Sequence, residues 1–289
     1  MTGPTPPPDV PGVDLDALRR WMDDEGLGAG PLLDVEPLAG GTQNVLVRFQ
    51  RDGRGYVLRR PPLHKRANSD ETMRREARVL AALSGSAVPH PGLIAACPTT
   101  DVLGAAFYLM EPIEGFNPSS GLPEPHASDP DLRRGMGFAM VDGIAALAAV
   151  DHHAVGLGDF GKPDGWLERQ VGRWRSQLAS YDELDGYPGP DIPGVEEVSR
   201  WLDERRPARW QPGVIHGDYH LANVLVSPTG PELAAIVDWE LCTIGDPLLD
   251  LGHLLATWPE GGSAAAVGGA IEGLPAGAEL VDRYLRSTG

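Results

Sequence analysis

Cysteine is scarce in this chain, with two in 289 residues, Cys97 and Cys242. That excludes a disulfide framework and suits two reduced thiols. Long apolar runs are missing as well. The longest candidate, Ala139 to Val150, is broken by Asp142 and Gly143, so the sequence offers no membrane span. Basic residues are few: 24 Lys and Arg stand against 41 Asp and Glu, a formal charge of −17. Such a balance argues against general nucleic-acid binding, which needs a surplus of cations to neutralise phosphates. It suits colloidal solubility and is compatible with a cationic substrate. The first twelve residues have neither a basic nor an apolar signal region. They are expected to form a disordered, proline-rich tail on a cytoplasmic protein.

What is present is enough chain for one large domain or two closely packed lobes. Leu15, Leu18 and Met22 recur at helical spacing. Strands are expected at Val45 to Phe49 and Tyr56 to Arg60, joined by the turn-forming Asp52-Gly53. A helix should open at Ser69-Asp70-Glu71 and run to Leu83, followed by strands at Leu93 to Cys97 and Ala106 to Met110. Beyond the connector Met110 to Gly115 the pattern turns helical: Asp131 to Val150, Trp166 to Tyr181, Val195 to Arg206 and Pro247 to Trp258. A compact β segment interrupts it between Val214 and Val237. The fold class expected is α+β, with residues 13–109 as a small sheet lobe, 110–115 as a hinge and 116–289 as a larger helical lobe.

The chemistry concentrates in His216-Gly217-Asp218-Tyr219-His220-Leu221-Ala222-Asn223 and in Asp238-Trp239-Glu240. Two short strand candidates, Val224 to Val226 and Ala234 to Val237, lie between them. If these pair as an antiparallel hairpin, Asn223 and Asp238 fall at the same end. An amide oxygen and a carboxylate are hard ligands suited to Mg²⁺. Asp218, five residues before Asn223, would stand beside that metal, where a carboxylate can orient or deprotonate a hydroxyl.

His-x-Asp with Asn five residues after the Asp is the arrangement of the protein-kinase catalytic loop. With Asp238-Trp239-Glu240 it resembles the aminoglycoside phosphotransferase and choline kinase family. The resemblance runs from about Leu33 to Trp258. It implies a two-lobed protein-kinase-like fold that uses ATP and Mg²⁺. It also implies Asp218 as catalytic base, Asn223 and Asp238 as metal ligands, and His216 as a brace for the loop. His220 takes the place where protein kinases often carry a lysine near the transferring phosphate. Gly40, Gly41 and Thr42 match the nucleotide-covering loop. The cation for the phosphates would be Arg59, which shares a strand face with Val57, and its helix partner Glu76. Arginine here is a departure from the kinase lysine, with a different reach. Met110, Glu111 and Ile113 resemble the adenine-binding hinge. Asp246 and Pro247 fit a helix start that would brace the catalytic loop.

Within the family, Tyr56 to Pro62, Val155 to Gly161 and His216 to Tyr219 resemble the kinase-like domain fused to some acyl-CoA dehydrogenases. That implies a hydroxylated acyl group, such as a hydroxyacyl-CoA, as phosphoryl acceptor. An aminoglycoside is the alternative, and a nucleotide-binding pseudokinase that regulates a partner is a third reading. Members of the resembled family continue with further helices where this chain reads Ser287-Thr288-Gly289, so a shortened carboxy-terminal lobe is expected.

Overall fold

Two helices, one tight turn and alternating strands build the first half of the molecule. The computed structural model describes residues 10–38, 44–184, 186–187, 189, 192–259 and 271–289. Helix α1 (Leu15–Asp24) is capped by Asp14, whose carboxylate accepts the Ala17 N–H at 2.9 Å, and it buries Leu18, Trp21 and Met22. Strands β1 (Leu33–Pro37), β2 (Val45–Arg51) and β3 (Arg54–Arg60) follow. Between the last two, Asp52 and Gly53 take φ of 50° and 74°, the left-handed pair that a two-residue I′ hairpin turn requires. The turn locks β2 on β3 from Val45 opposite Arg60 to Arg51 opposite Arg54. Helix α2 (Ser69–Leu83), β4 (Leu93–Cys97) and β5 (Phe107–Met110) complete a five-stranded antiparallel sheet in the order β1-β2-β3-β5-β4.

Alternation along β3 gives the sheet two different faces. Tyr56 and Leu58 join Phe49, Phe107, Leu109 and the apolar side of α1 in one buried cluster. Val57 and Arg59 point the other way, toward the side where α2 packs on β4 and β5. Val10 belongs to the first cluster at 3% exposed. Residues 1–9 of the expected tail lie outside the described residues, but Val10 to Gly12 are not a loose tail. The Val13 N–H closes a turn on the Val10 carbonyl at 3.0 Å, which buries both valines.

Helices α3 (Pro130–Ala148), α4 (Trp166–Ser180) and α5 (Val195–Glu204) come next, then β6 (Gly213–Ile215), β7 (Val224–Val226), β8 (Leu233–Ile236) and β9 (Thr243–Gly245), and finally α6 (Leu248–Ala256) and α7 (Gly277–Thr288). The ends of α2 to α6 fall within about two residues of those expected from the sequence, as frayed termini do. β7 and β8 form the expected antiparallel hairpin, with Val224 opposite Ile236. β9, too short to show a period, pairs with β6 and was not foreseen. A second buried cluster runs from α2 through α3, β6 to β9, α6 and α7, including Leu80, Met140, Ile144, Ile236, Trp239 and Leu254. The antiparallel pairing and the segregated helices make the class α+β. Among the described residues no helix is long and apolar enough to cross a membrane.

Candidate active site

The β7–β8 hairpin brings together the two segments that the sequence singled out. The Val237 N–H donates to the Asn223 carbonyl at 2.9 Å, so Asn223 enters β7 where Asp238 leaves β8. Asp238 has φ of 67°, a left-handed conformation unusual for a residue with a β-carbon. The preceding loop turns at Gly217, φ 87°, where a β-carbon would lie 2.6 Å from the Leu241 carbonyl oxygen. Only glycine fits there.

His216 is fully buried under this loop. Its Nε2 lies 2.9 Å from the Val237 carbonyl, and its Nδ1 accepts the Asp218 N–H at 3.3 Å. Burial pushes its pKa down to about 4, so the imidazole is neutral and its donor and acceptor are fixed by those partners. His216 thus ties the loop to the end of β8.

Asp218 is about one-third exposed and held at both oxygens. Asn223 Nδ2 donates to Oδ2 at 2.9 Å and also to the Asp218 carbonyl at 2.9 Å. His220 Nε2 stands 3.4 Å from Oδ1, and His253 Nδ1 lies 3.7 Å from the same atom. The His220 contact, reinforced by the nearby His253 ring and the Asn223 amide, holds the carboxyl below its ordinary range against the effect of burial. Asp218 is therefore ionised at neutral pH. With Nδ2 of Asn223 committed to Asp218, the amide oxygen is the lone-pair donor left for a cation.

Arg59 joins the sheet to this loop. It is 7% exposed; its Nε lies 2.8 Å from Glu76 Oε2 and its second terminal nitrogen 2.6 Å from Asp238 Oδ1. Burial alone would lower its pKa, but Glu76, then Tyr108 and Asp238, outweigh that and hold the guanidinium firmly protonated. Glu76, 1% exposed, also accepts the Tyr108 O–H at 2.7 Å. Burial pushes its pKa up while Arg59 pulls it down. Glu240 adds a third carboxyl, its pKa raised by burial and by Asp238. Oxygens of Glu76, Asp238 and Glu240 all lie within 4.8 Å of one another. The donor set of Asn223 and Asp238, hard oxygens in a strongly negative corner, fits a magnesium ion.

Arg59, Asn223 and Asp238 belong to the lining of a cavity of about 540 Å³, whereas Glu76 and Glu240 stand behind it. Those three form one end of it, and Val57, Leu80, Met110, Glu111, Pro112 and Ile113 are among the residues of its wall. The Glu111 N–H is spent on the Gly92 carbonyl at 2.8 Å. The chain past this connector is pinned to β7, because Phe116 and Val226 exchange two backbone bonds at 3.0 and 2.9 Å. Of the residues expected to touch nucleotide, Arg59, Met110, Glu111 and Ile113 line the cavity, and Glu76 backs Arg59. Gly40, Gly41 and Thr42 lie outside the described residues.

Two residues of α6 were missed. Asp250, 2% exposed, accepts the N–H of His216 at 2.7 Å and of Gly217 at 2.8 Å, so it braces the His216–Asn223 loop. That role had been expected of Asp246, which instead caps α6: its carboxylate accepts the Leu248 N–H at 3.0 Å. A helix start accounts for Asp246 fully, and the bracing falls to the next acid one turn on. His253, three residues after Asp250 and on the same side of the helix, reaches Asp218. The available signal was a charged residue and a histidine at i and i+3 in the otherwise apolar LLDLGHLLA.

The model of the phosphotransferase enzyme family matches residues 34–281. Acyl-CoA dehydrogenase family member 11 of Gallus gallus is 31% identical over 89% of this chain, and family member 10 of Mus musculus 30% over 83%. The chain spans 33% and 22% of those two proteins' lengths. A solved protein of Ralstonia eutropha assigned to the aminoglycoside phosphotransferases is 33% identical, with a TM-score of 0.77, over 96% of this chain and 80% of its own. An aminoglycoside phosphotransferase solved with streptomycin and ATP shares the fold at 15% identity, with a TM-score of 0.60 over 96% of this chain and 82% of that one.

Proposed function

This chain belongs to the phosphotransferase enzyme family, and from that premise we propose that it moves the γ-phosphoryl group of ATP to a hydroxyl group of a small molecule. One observation carries the reading: Arg59, Asn223 and Asp238 close one end of a cavity walled by Met110, Glu111 and Ile113, and Asp218 is bonded to Asn223 at that end. Adenine would bind along the connector, with the phosphates directed toward Arg59. Asn223 and Asp238 would hold a magnesium ion, which when bound neutralises phosphate charge. In this reading residues 13–109 form a lobe over the nucleotide, 110–115 a hinge and 116–289 the lobe that receives the acceptor.

The chain's own residues then divide the work. Arg59, fixed by Glu76, offers its charge to the phosphates. Asp218 orients the acceptor hydroxyl and takes its proton, and His216 and Asp250 keep the loop in place. A carboxyl held below its usual range is a modest base, so positioning supplies most of the catalysis. The family likeness to acyl-CoA dehydrogenase members favours a hydroxyacyl-CoA-type metabolite as acceptor, and the acidic charge is what an aminoglycoside would favour.

The test is magnesium-dependent ATP turnover by wild type and Asp218→Ala over pools of hydroxyacyl-CoAs and aminoglycosides. Turnover stimulated by one pool and lost in the variant supports the reading and names the acceptor class. ATP binding with no turnover in either pool would shift it to a nucleotide-binding regulator.

A further inference from the structure

We infer that His253 is an acceptor-side residue of this site, holding the acceptor oxygen against Asp218; the inference rests on the phosphotransfer reading. The Asp218 carboxylate has two unlike sides. Oδ2 is bound to Asn223, a residue of the cavity wall, whereas Oδ1 turns toward His220 and His253. Asp218, His220 and His253 are absent from the lining of the 540 Å³ cavity. A group approaching Oδ1 therefore arrives from outside the nucleotide space, past His253.

The distances fit a bridged contact. His253 Nδ1 to Asp218 Oδ1 is 3.7 Å, too long for a direct hydrogen bond. A hydroxyl oxygen set against both atoms would bridge that gap, as water commonly does across such separations. The imidazole is 31% exposed and packs edge-on to His220, with ring centroids 5.6 Å apart at 78°. Burial lowers its pKa, so at neutral pH it is an uncharged hydrogen-bonding group. Asp250 on the same helix binds the loop backbone at His216 and Gly217, so α6 fixes His253 and Asp218 in one frame.

In the step this implies, His253 Nδ1–H donates to a lone pair of the acceptor oxygen while the acceptor O–H points at Asp218 Oδ1. The oxygen–γ-phosphorus bond forms as the bond from that phosphorus to the β,γ-bridging oxygen breaks. The electron pair leaves with ADP, and the proton passes to Asp218.

The experiment measures hydrolysis of Mg–ATP, with water as acceptor, in wild type, Asp218→Ala, His253→Ala, His253→Asn and His253→Gln. Asparagine sets an amide nitrogen near the Nδ1 position, and glutamine carries it on toward Nε2. His253→Ala should lose about tenfold in kcat, the worth of one hydrogen bond, with KM for ATP within about twofold. His253→Asn should regain most of the loss and His253→Gln little. If His253→Ala does not fold, the Asn and Gln pair still decides. Loss in Asp218→Ala with no change in any His253 variant overturns the His253 inference and leaves phosphotransfer standing. Equal losses in Ala, Asn and Gln assign His253 a merely structural part and overturn it too. Hydrolysis unchanged in Asp218→Ala would sink the phosphotransfer reading itself.

Discussion

Replacing Arg59 by alanine tests the part of the structure where stability and function share atoms. Arg59 is buried between Glu76, 1% exposed, and Asp238, and its removal leaves the Glu76 carboxylate buried beside other carboxylates with no cation to pair it. Breaking a buried pair from one side costs about 3–5 kcal/mol, because the remaining charge has lost its partner and cannot reach water. At about 2–4 °C per kcal/mol for a chain of this size, the melting temperature should fall by roughly 6–20 °C. The size of the loss comes from the stranded charge, so removing that charge should restore stability. Glu76→Gln keeps an oxygen for the Tyr108 hydroxyl and discards the ionised group. The double variant should therefore recover at least about 2 kcal/mol relative to the sum of the two single losses. Thermal melts and urea titrations of the four proteins give the cycle. A single-variant loss below about 1 kcal/mol, or strict additivity in the cycle, would refute the buried-pair argument.

Three further outcomes follow from the same geometry. Asp238→Ala should weaken nucleotide binding only when magnesium is present, which calorimetric titration with and without the metal would read; equal affinities in both would remove Asp238 from the metal site. Tyr108→Phe should cost about 1–3 kcal/mol by leaving a buried Glu76 oxygen short of a donor, checked by urea midpoint. Burial pushes the Asp250 carboxyl up to about 6 from 3.8. Its stabilising contribution is thus full below pH 4 and lost as pH rises through 6, about 3 kcal/mol in all. Stability measured across that window should show this fall in wild type relative to Asp250→Asn, and parallel curves would reject it.

The local grammar of the chain was readable. Asp52-Gly53 announced its turn because I′ geometry admits few residues, and the β3 alternation placed Val57 and Arg59 together because side chains on a strand have a period of two. Asn223 and Asp238 were legible as a pair for a similar reason: a hairpin closes their separation whatever the rest of the molecule does. Residues whose partners lie far along the chain were less accessible. Glu76 was assigned to Arg59 from the resemblance, not from its spacing. The Tyr108 hydroxyl that completes the pair, 32 residues from Glu76, left no pattern at all. Val10 was read as tail because proline-rich composition describes the unfolded chain, while its burial is decided by the cluster that α1 and the sheet assemble around it.

Asp246 and Asp250 show where such reading stops. Both acids stand near the start of one helix, and the sequence favours the first, because Asp before Pro has a known local use as a helix start. The bond that the Asp246 carboxylate makes is that local one, to the Leu248 N–H, and the N–H groups of the His216–Gly217 turn go to Asp250 instead. Asp250 has no local partner. Sitting in the first turn of an apolar helix, it is tolerated in burial only because two loop N–H groups point at it. An acid that local structure does not explain, on the buried face of a helix, is therefore the better guide to a distant backbone in need of an acceptor. The same helix face then leads, one turn on, to His253.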